Sequence, residues 1–182
     1  MNAYHYHKKE EKMKKISIKI LSELNKLKSI QKIRKIIQIL RDPIDGCPWD
    51  LKQNYNTLAP YSIEEVYELV NAIESNNTLE IKNELGDLLL QIVMISQIAS
   101  EKKHFDFDDV AEEISKKMIR RHPQIFDHSY DKDDLPHDSW ETIKNTEKSH
   151  KINQDFHALD KIEANIPAIL RAIKIQKKAS SL

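Results

Sequence analysis

The sequence predicts an all-α helical bundle, and three observations carry that prediction. Apolar residues recur at three- and four-residue steps along most of the chain, the spacing of one helix face. No alternation of apolar and polar residues persists long enough for a strand. From Leu85 to Ile98 the chain is apolar nearly all round, and a helix of that kind must be covered on every side. In a chain of 182 residues this makes it the centre of a bundle and the expected interface between subunits.

The elements follow in order. A first helix is expected from Lys15 to Leu40, with Ile20, Leu24, Leu27, Ile30, Ile33, Ile37 and Leu40 as its apolar stripe. Asp42-Pro43 ends it, because a residue before proline is driven out of the helical region. Residues 42–61 carry Pro43, Pro48 and Pro60 and read as a loop. A second helix starts at Ser62, where Ser62-Ile-Glu-Glu65 has capping-box spacing, and it buries Ile63, Val66, Leu69, Val70 and Ile73. The connector Ser75-Asn-Asn-Thr78 is short and polar, so the next helix packs antiparallel. That third helix runs from about Leu79 to Glu101 with Thr78 as cap. Asp106 caps a fourth, Phe107 to Arg120, with Val110, Ile114 and Met118 inward, and Arg120-Arg-His-Pro123 closes it. Residues 127–138 are a polar loop, Asp138 caps a short helix around Trp140 and Ile143, and Pro167 opens a last helix, Ala168 to Ala179.

Charge is segregated behind a net value of zero. Residues 1–41 hold 12 Lys and Arg against 3 Glu, a balance of +9. Residues 42–113 hold 4 basic against 16 acidic residues, a balance of −12, and residues 114–182 hold 13 against 10, a balance of +3. The acidic middle favours cations and disfavours nucleic acid. The basic head reads as a solvated helix face before it reads as a contact for RNA or an acidic partner. Cys47 is the one cysteine, so no disulfide forms within the chain and a reducing cytoplasm is the simpler expectation. The longest apolar run, Leu88 to Ile95, is interrupted by Gln91 and far too short to span a bilayer. The lysine-rich start has no apolar core and cleavage site, so no secretory signal is read there.

The acidic middle also carries the chemistry. Glu65-Val-Tyr-Glu68 and Glu84-Leu-Gly-Asp87 stand 15 residues apart on neighbouring helices. Residues at i and i+3 share a helix face, so four carboxylates can converge. They repel one another unless a cation lies between them, and hard oxygen donors suit Mg²⁺, with Mn²⁺ as the alternative. The four are unequal. Glu84 and Asp87 enter the helix that is apolar all round, where a carboxylate must be paired or coordinating. Glu65 also fits a capping role, and Glu68 is a ligand only if a second surface covers its side of the helix. There is no glycine-rich phosphate loop, no CxxC and no HExxH, so phosphate chemistry here must rely on metal. Arg120 and Arg121 complement a helix C-terminus or clamp phosphate. Trp49 and Trp140 read as packing anchors before base-stacking platforms, and His122 as a helix-end residue before a ligand. The only glycines, Gly46 and Gly86, both lie in these motifs; Gly86 costs its helix about 1 kcal/mol relative to alanine, which implies close approach of a neighbour.

Taken together, Leu40-Arg-Asp-Pro43, Gly46-Cys-Pro-Trp-Asp50, Gln53, Pro60-Tyr61, Glu64-Glu-Val-Tyr-Glu68, Asn71-Ala-Ile73, Glu84-Leu-Gly-Asp-Leu-Leu89, Phe105, and Arg120-Arg-His-Pro123 with Phe126 resemble the MazG-type nucleoside triphosphate pyrophosphohydrolases. The resemblance covers roughly residues 29–180 and is to the N-terminal half of tandem-domain members. It implies a MazG-like helical bundle with a four-helix core that dimerises through its central helices. It implies a Mg²⁺ site on Glu65, Glu68, Glu84 and Asp87, and hydrolysis of nucleoside triphosphates to monophosphate and diphosphate, with removal of non-standard or excess nucleotides as the role. Glu64 or Glu65 is the expected general base; Lys52, Arg120 and Arg121 are expected on phosphate and Trp49 on the nucleoside. The chain departs from the family at Gln124, Ser96 and Asn54, where His, His and Thr are usual. The expected organisation is a basic extension over 1–28, a MazG-like catalytic domain over 29–128, and a linker and helix over 129–182 resembling the segment that leads into a second domain. Two readings compete with a broad triphosphate hydrolase. One is a weakly active or inactive dimerisation or regulatory module; the other is a pyrophosphohydrolase dedicated to one nucleotide, such as phosphoribosyl-ATP or dUTP.

Overall fold

The computed structural model describes residues 17–127, 162 and 166–179. Among the described residues there is no strand, as the spacing predicts, and there are eight helices, one of which, over Pro48–Lys52, lies in the stretch 42–61 expected to be loop. They are α1 (Ile18–Lys26), α2 (Ser29–Leu40), α3 (Pro48–Lys52), α4 (Tyr55–Glu74), α5 (Thr78–Glu101), α6 (Phe107–Arg120), α7 (Pro123–Phe126) and α8 (Ala168–Ala179). The chain divides into two compact units, Met1–Lys116 and Lys117–Leu182. The polar stretch after residue 127 and the expected helix around Trp140 lie outside the described residues.

In the first unit α5 is the axis. Val93, Met94 and Ile98 of α5 are buried with Ile37 of α2 and Leu58 of α4, and Tyr55, Leu89, Leu90 and Phe107 pack around them. The helix is covered on all sides only from Val93 to Ala99. Leu85 and Ile92 remain 51% and 41% exposed.

Three boundaries differ from the sequence reading. The expected first helix is two, because Leu27 and Lys28 both adopt extended backbone (ψ 146° and 156°) between α1 and α2. Neither is proline or glycine, so composition carries no mark of the break. The helix expected from Ser62 begins at Tyr55, two turns earlier. Asn54 is its N-cap: its side chain accepts from the N–H groups of Asn56 and Thr57, and Thr57 Oγ1 accepts from Asn54 N–H at 2.8 Å. That reciprocal cap, with burial of Leu58, offsets the hydrogen bond lost at Pro60 inside the helix. Ser62 caps nothing; its hydroxyl donates back to the Leu58 carbonyl at 3.1 Å. Lastly, α5 is capped by Asn77 rather than Thr78. Asn54→Ala is therefore expected to cost about 1 kcal/mol and Ser62→Ala less than about 0.5 kcal/mol, read as denaturant midpoints. The reverse ranking would return the helix start to Ser62.

Two tight turns fix the remaining geometry. After α2, Asp42 Oδ1 accepts from Ile44 and Asp45 N–H, and the Asp42 carbonyl accepts from Gly46 N–H, each at 2.9 Å. A Cβ on Gly46 would lie under 3.0 Å from the carbonyl oxygens of Leu40 and Asp42, so the turn admits only glycine. Between α4 and α5, Asn76 takes the left-handed region (φ 54°), which asparagine tolerates, and the chain reverses in three residues. At α6 the expectation holds: Asp106 Oδ1 accepts from the N–H groups of Asp108 and Asp109, and Asp109 Oδ2 accepts from Asp106 N–H. Ile114, expected inward, is 48% exposed.

Candidate metal centre

The α4–α5 hairpin brings the two acidic signatures face to face. Carboxylate oxygens of Glu65, Glu84 and Asp87 all lie within 4.8 Å of one another. Glu68 is outside this tightest group and exposed, although it lines the same groove as Glu84. The covering surface that would make it a ligand is not found among the described residues.

Which face of α4 is covered differs from the sequence reading. Ile63, Val66, Val70 and Ile73, expected to be buried, are 55%, 44%, 43% and 52% exposed. Of the expected stripe only Leu69 is partly buried, and it shares its face with Glu65 and the buried Ala72. Small Ala72 lets the helices approach. Beside it opens a groove of about 640 Å³, lined by Glu64, Tyr67, Glu68, Asn71, Glu80 and Glu84 among others.

The electrostatics register the crowding. Partial removal from water raises the Glu84 carboxyl above its ordinary 4.5, and the charges of Glu68, Asp87 and Glu80 push it further. Glu65 is raised in the same way, by loss of water first and then by Asp87, Glu68, Glu84 and Glu64. Hard oxygens gathered against their own repulsion fit a divalent cation such as Mg²⁺ or Mn²⁺. Gly86, between two of these residues, has nothing within 4 Å of where a Cβ would stand, so no neighbour among the described residues explains it.

The other expected site residues are distributed. Glu64 lines the groove. Trp49 and Lys52 lie on α3, where Trp49 meets Tyr61 of α4 edge to face, with 6.3 Å between ring centroids. Arg120 and Arg121 belong to the second unit, at and just after the end of α6. Of the family departures, Asn54 has a structural role as the α4 cap, and Ser96 is buried with its hydroxyl donating to the Ile92 carbonyl at 2.8 Å. Spacing did not single out Tyr61, four residues before Glu65, or Asn71, three after Glu68, although both positions fall on the carboxylate side of α4.

Residues 53–126, which contain all four carboxylates, match the family model of the MazG nucleotide pyrophosphohydrolase domain. Over those residues the chain is similar to that domain. It is similar to the nucleoside triphosphate pyrophosphohydrolase of Escherichia coli (strain K12), 42% identical over 157 residues, 86% of this chain and 59% of that protein. It is likewise 42% identical to the nucleoside triphosphate pyrophosphohydrolase/pyrophosphatase MazG of Thermotoga maritima, over 81% of this chain and 55% of that protein. The chain thus spans somewhat more than half the length of these relatives. The crystal structure of a mazG-related protein from Thermotoga maritima shares the fold, with a TM-score of 0.51 and 22% identity over 65% of this chain and 98% of that one.

Proposed function

We propose that this chain is a Mg²⁺-dependent nucleoside triphosphate pyrophosphohydrolase, turning a nucleoside triphosphate and water into monophosphate and diphosphate. The observation that carries the reading is the convergence of Glu65, Glu84 and Asp87 within 4.8 Å inside a MazG domain. Glu65, Glu68, Glu84 and Asp87 hold the cation, with Mn²⁺ as the alternative to Mg²⁺. When bound, the metal neutralises charge on the triphosphate and lowers the pKa of water. Glu64 or Glu65 accepts the proton of the attacking water. Its oxygen bonds to the α-phosphorus as the bond to the bridging oxygen breaks, and diphosphate leaves. Lys52, Arg120 and Arg121 contact phosphates, and Trp49 contacts the base. The role is removal of non-standard or excess nucleotides, in the cytoplasm. Among the described residues no helix is long and apolar enough to cross a membrane.

The active form is a homodimer. Support comes from the exposed stripe Ile63, Val66, Val70 and Ile73, from exposed Leu85 and Ile92 on α5, and from the open space at Gly86. Apolar helix faces of this extent are normally covered.

The deciding measurement is diphosphate release from ribo- and deoxyribonucleoside triphosphates, dUTP and phosphoribosyl-ATP, with Mg²⁺ and with chelator. Metal-dependent release across several triphosphates is expected. Release from one substrate only would make the enzyme a dedicated one. Background release throughout would reject catalysis and leave the module.

A further inference from the structure

Arg41 is an arginine in the core, 8% exposed. Its Nε and Nη2 donate to the two carboxylate oxygens of Glu101 on α5, at 2.8 and 2.7 Å. Its Nη1 donates to the carbonyl oxygens of Asp50 and Gln53, in the last turn and C-cap of α3. One side chain just after α2 thus ties α3 to α5. Replacing the whole Arg41–Glu101 pair by apolar side chains of similar volume would often serve stability as well. What the planar fork adds is direction, because its donors fix two carbonyls and a carboxylate at once.

The element so fixed carries Trp49, 47% exposed, against Tyr61, 40% exposed, at an interplanar angle of 61°. Gln53 Nε2 donates to the Trp49 carbonyl at 3.0 Å, closing the bracket. Tyr61 precedes Glu65 by four residues, a rise of about 6 Å along the helix. Half-exposed Tyr61 therefore stands one turn from Glu65, with the half-exposed Trp49 ring against it. Aromatic faces hold nucleobases by stacking, for about 1–3 kcal/mol per base.

We propose that Arg41 is a positioning residue for nucleotide binding. It holds α3 so that Trp49, buttressed by Tyr61, offers a ring face to the base of a triphosphate whose phosphates lie at the carboxylate cluster. This rests on the function proposed above and adds Arg41 and Tyr61 to it. Lysine keeps the charge but lacks the fork, so it cannot hold the three partners in one plane.

The test uses the full chain with Trp140→Phe, leaving Trp49 as the only indole. The probes are α,β-methylene-ATP with Mg²⁺, followed by Trp49 emission, and ATP for kinetics. Arg41→Lys and Tyr61→Ala are each expected to weaken analogue binding and raise KM by about 10-fold, the size of a lost stacking contact. Turnover should stay within about twofold, since only ground-state binding is lost. Mn²⁺ binding to the free protein should not change. Arg34→Met is the control: it breaks the Arg34–Asp108 pair, which touches neither α3 nor Trp49, and should leave KM alone. If Arg41→Lys does not fold, Tyr61→Ala and Gln53→Leu carry the same expectation. Unchanged KM and analogue binding in the folded variants overturn the proposal, and so does an equal KM rise in Arg34→Met. A wild type that neither binds the analogue nor hydrolyses any triphosphate overturns the functional reading first, and this proposal with it.

Discussion

Glu84→Gln and Asp87→Asn are expected to reduce diphosphate release by at least about 100-fold, the loss seen when one electrostatic stabiliser of developing charge is removed. The same substitutions should make the metal-free protein more stable, not less. Glu65 and Glu84 both have folded pKa values above 4.5, through loss of water and neighbouring carboxylates. Between 4.5 and those raised values the native state binds more protons than the unfolded chain. Their contribution to stability is therefore full below about 4.5 and is lost as pH rises through the folded values. At neutral pH the metal-free site carries uncompensated repulsion, and either substitution removes part of it. A divalent cation does the same for the wild type, so Mg²⁺ or Mn²⁺ should raise its melting temperature and do little for the variants. Melting curves at neutral pH, with chelator and with excess metal, check both halves. Variants that lose activity while melting lower than wild type without metal, and that still respond to metal, would mean the carboxylates are structural.

The convergence of the carboxylates was legible because it rests on local geometry. Spacing of i and i+3 and a short polar connector suffice to oppose Glu65 to Glu84 and Asp87. Orientation of the apolar stripe was not. Ile63, Val66, Val70 and Ile73 form an apolar stripe in the sequence, but the stripe does not say which surface would cover it, and among the described residues all four stay exposed. The start of α4 was misread because Pro60 was weighed as a breaker. One missing hydrogen bond lost to the Asn54–Thr57 cap and to the burial of Leu58, and only the three-dimensional core reveals that burial. The break at Leu27–Lys28 has no local cause in the sequence. Arg41 sat in plain view as one residue of a motif, yet its partners are distant: Glu101 lies 60 positions away.

That distance is why Arg41→Met should be the costliest of the substitutions for stability. It removes one of two donors from the Asp50 carbonyl, which keeps Gln53 N–H, and two of three from a partly buried carboxylate, which keeps Gln97 Nε2, and about 3 kcal/mol is expected. The low end of the range for a broken buried pair applies, because the Glu101 side chain keeps 34% of its exposure. The loss should also depend on pH. The hydrogen bonds from Arg41 hold the Glu101 carboxyl below 4.5 against an opposing pull from burial, with help from Gln97 and from the charges of Arg41 and Lys102. A depressed carboxyl contributes fully above about 4.5, and its contribution fades as pH falls through the folded value. Wild type and variant should therefore differ most near neutrality and converge in acid. Urea midpoints between about pH 3 and pH 7 measure this directly. A difference that stayed constant across the range would mean that Arg41 stabilises through its two carbonyl contacts alone. The carboxylate of Glu101 would then be a bystander in the bracket that holds α3.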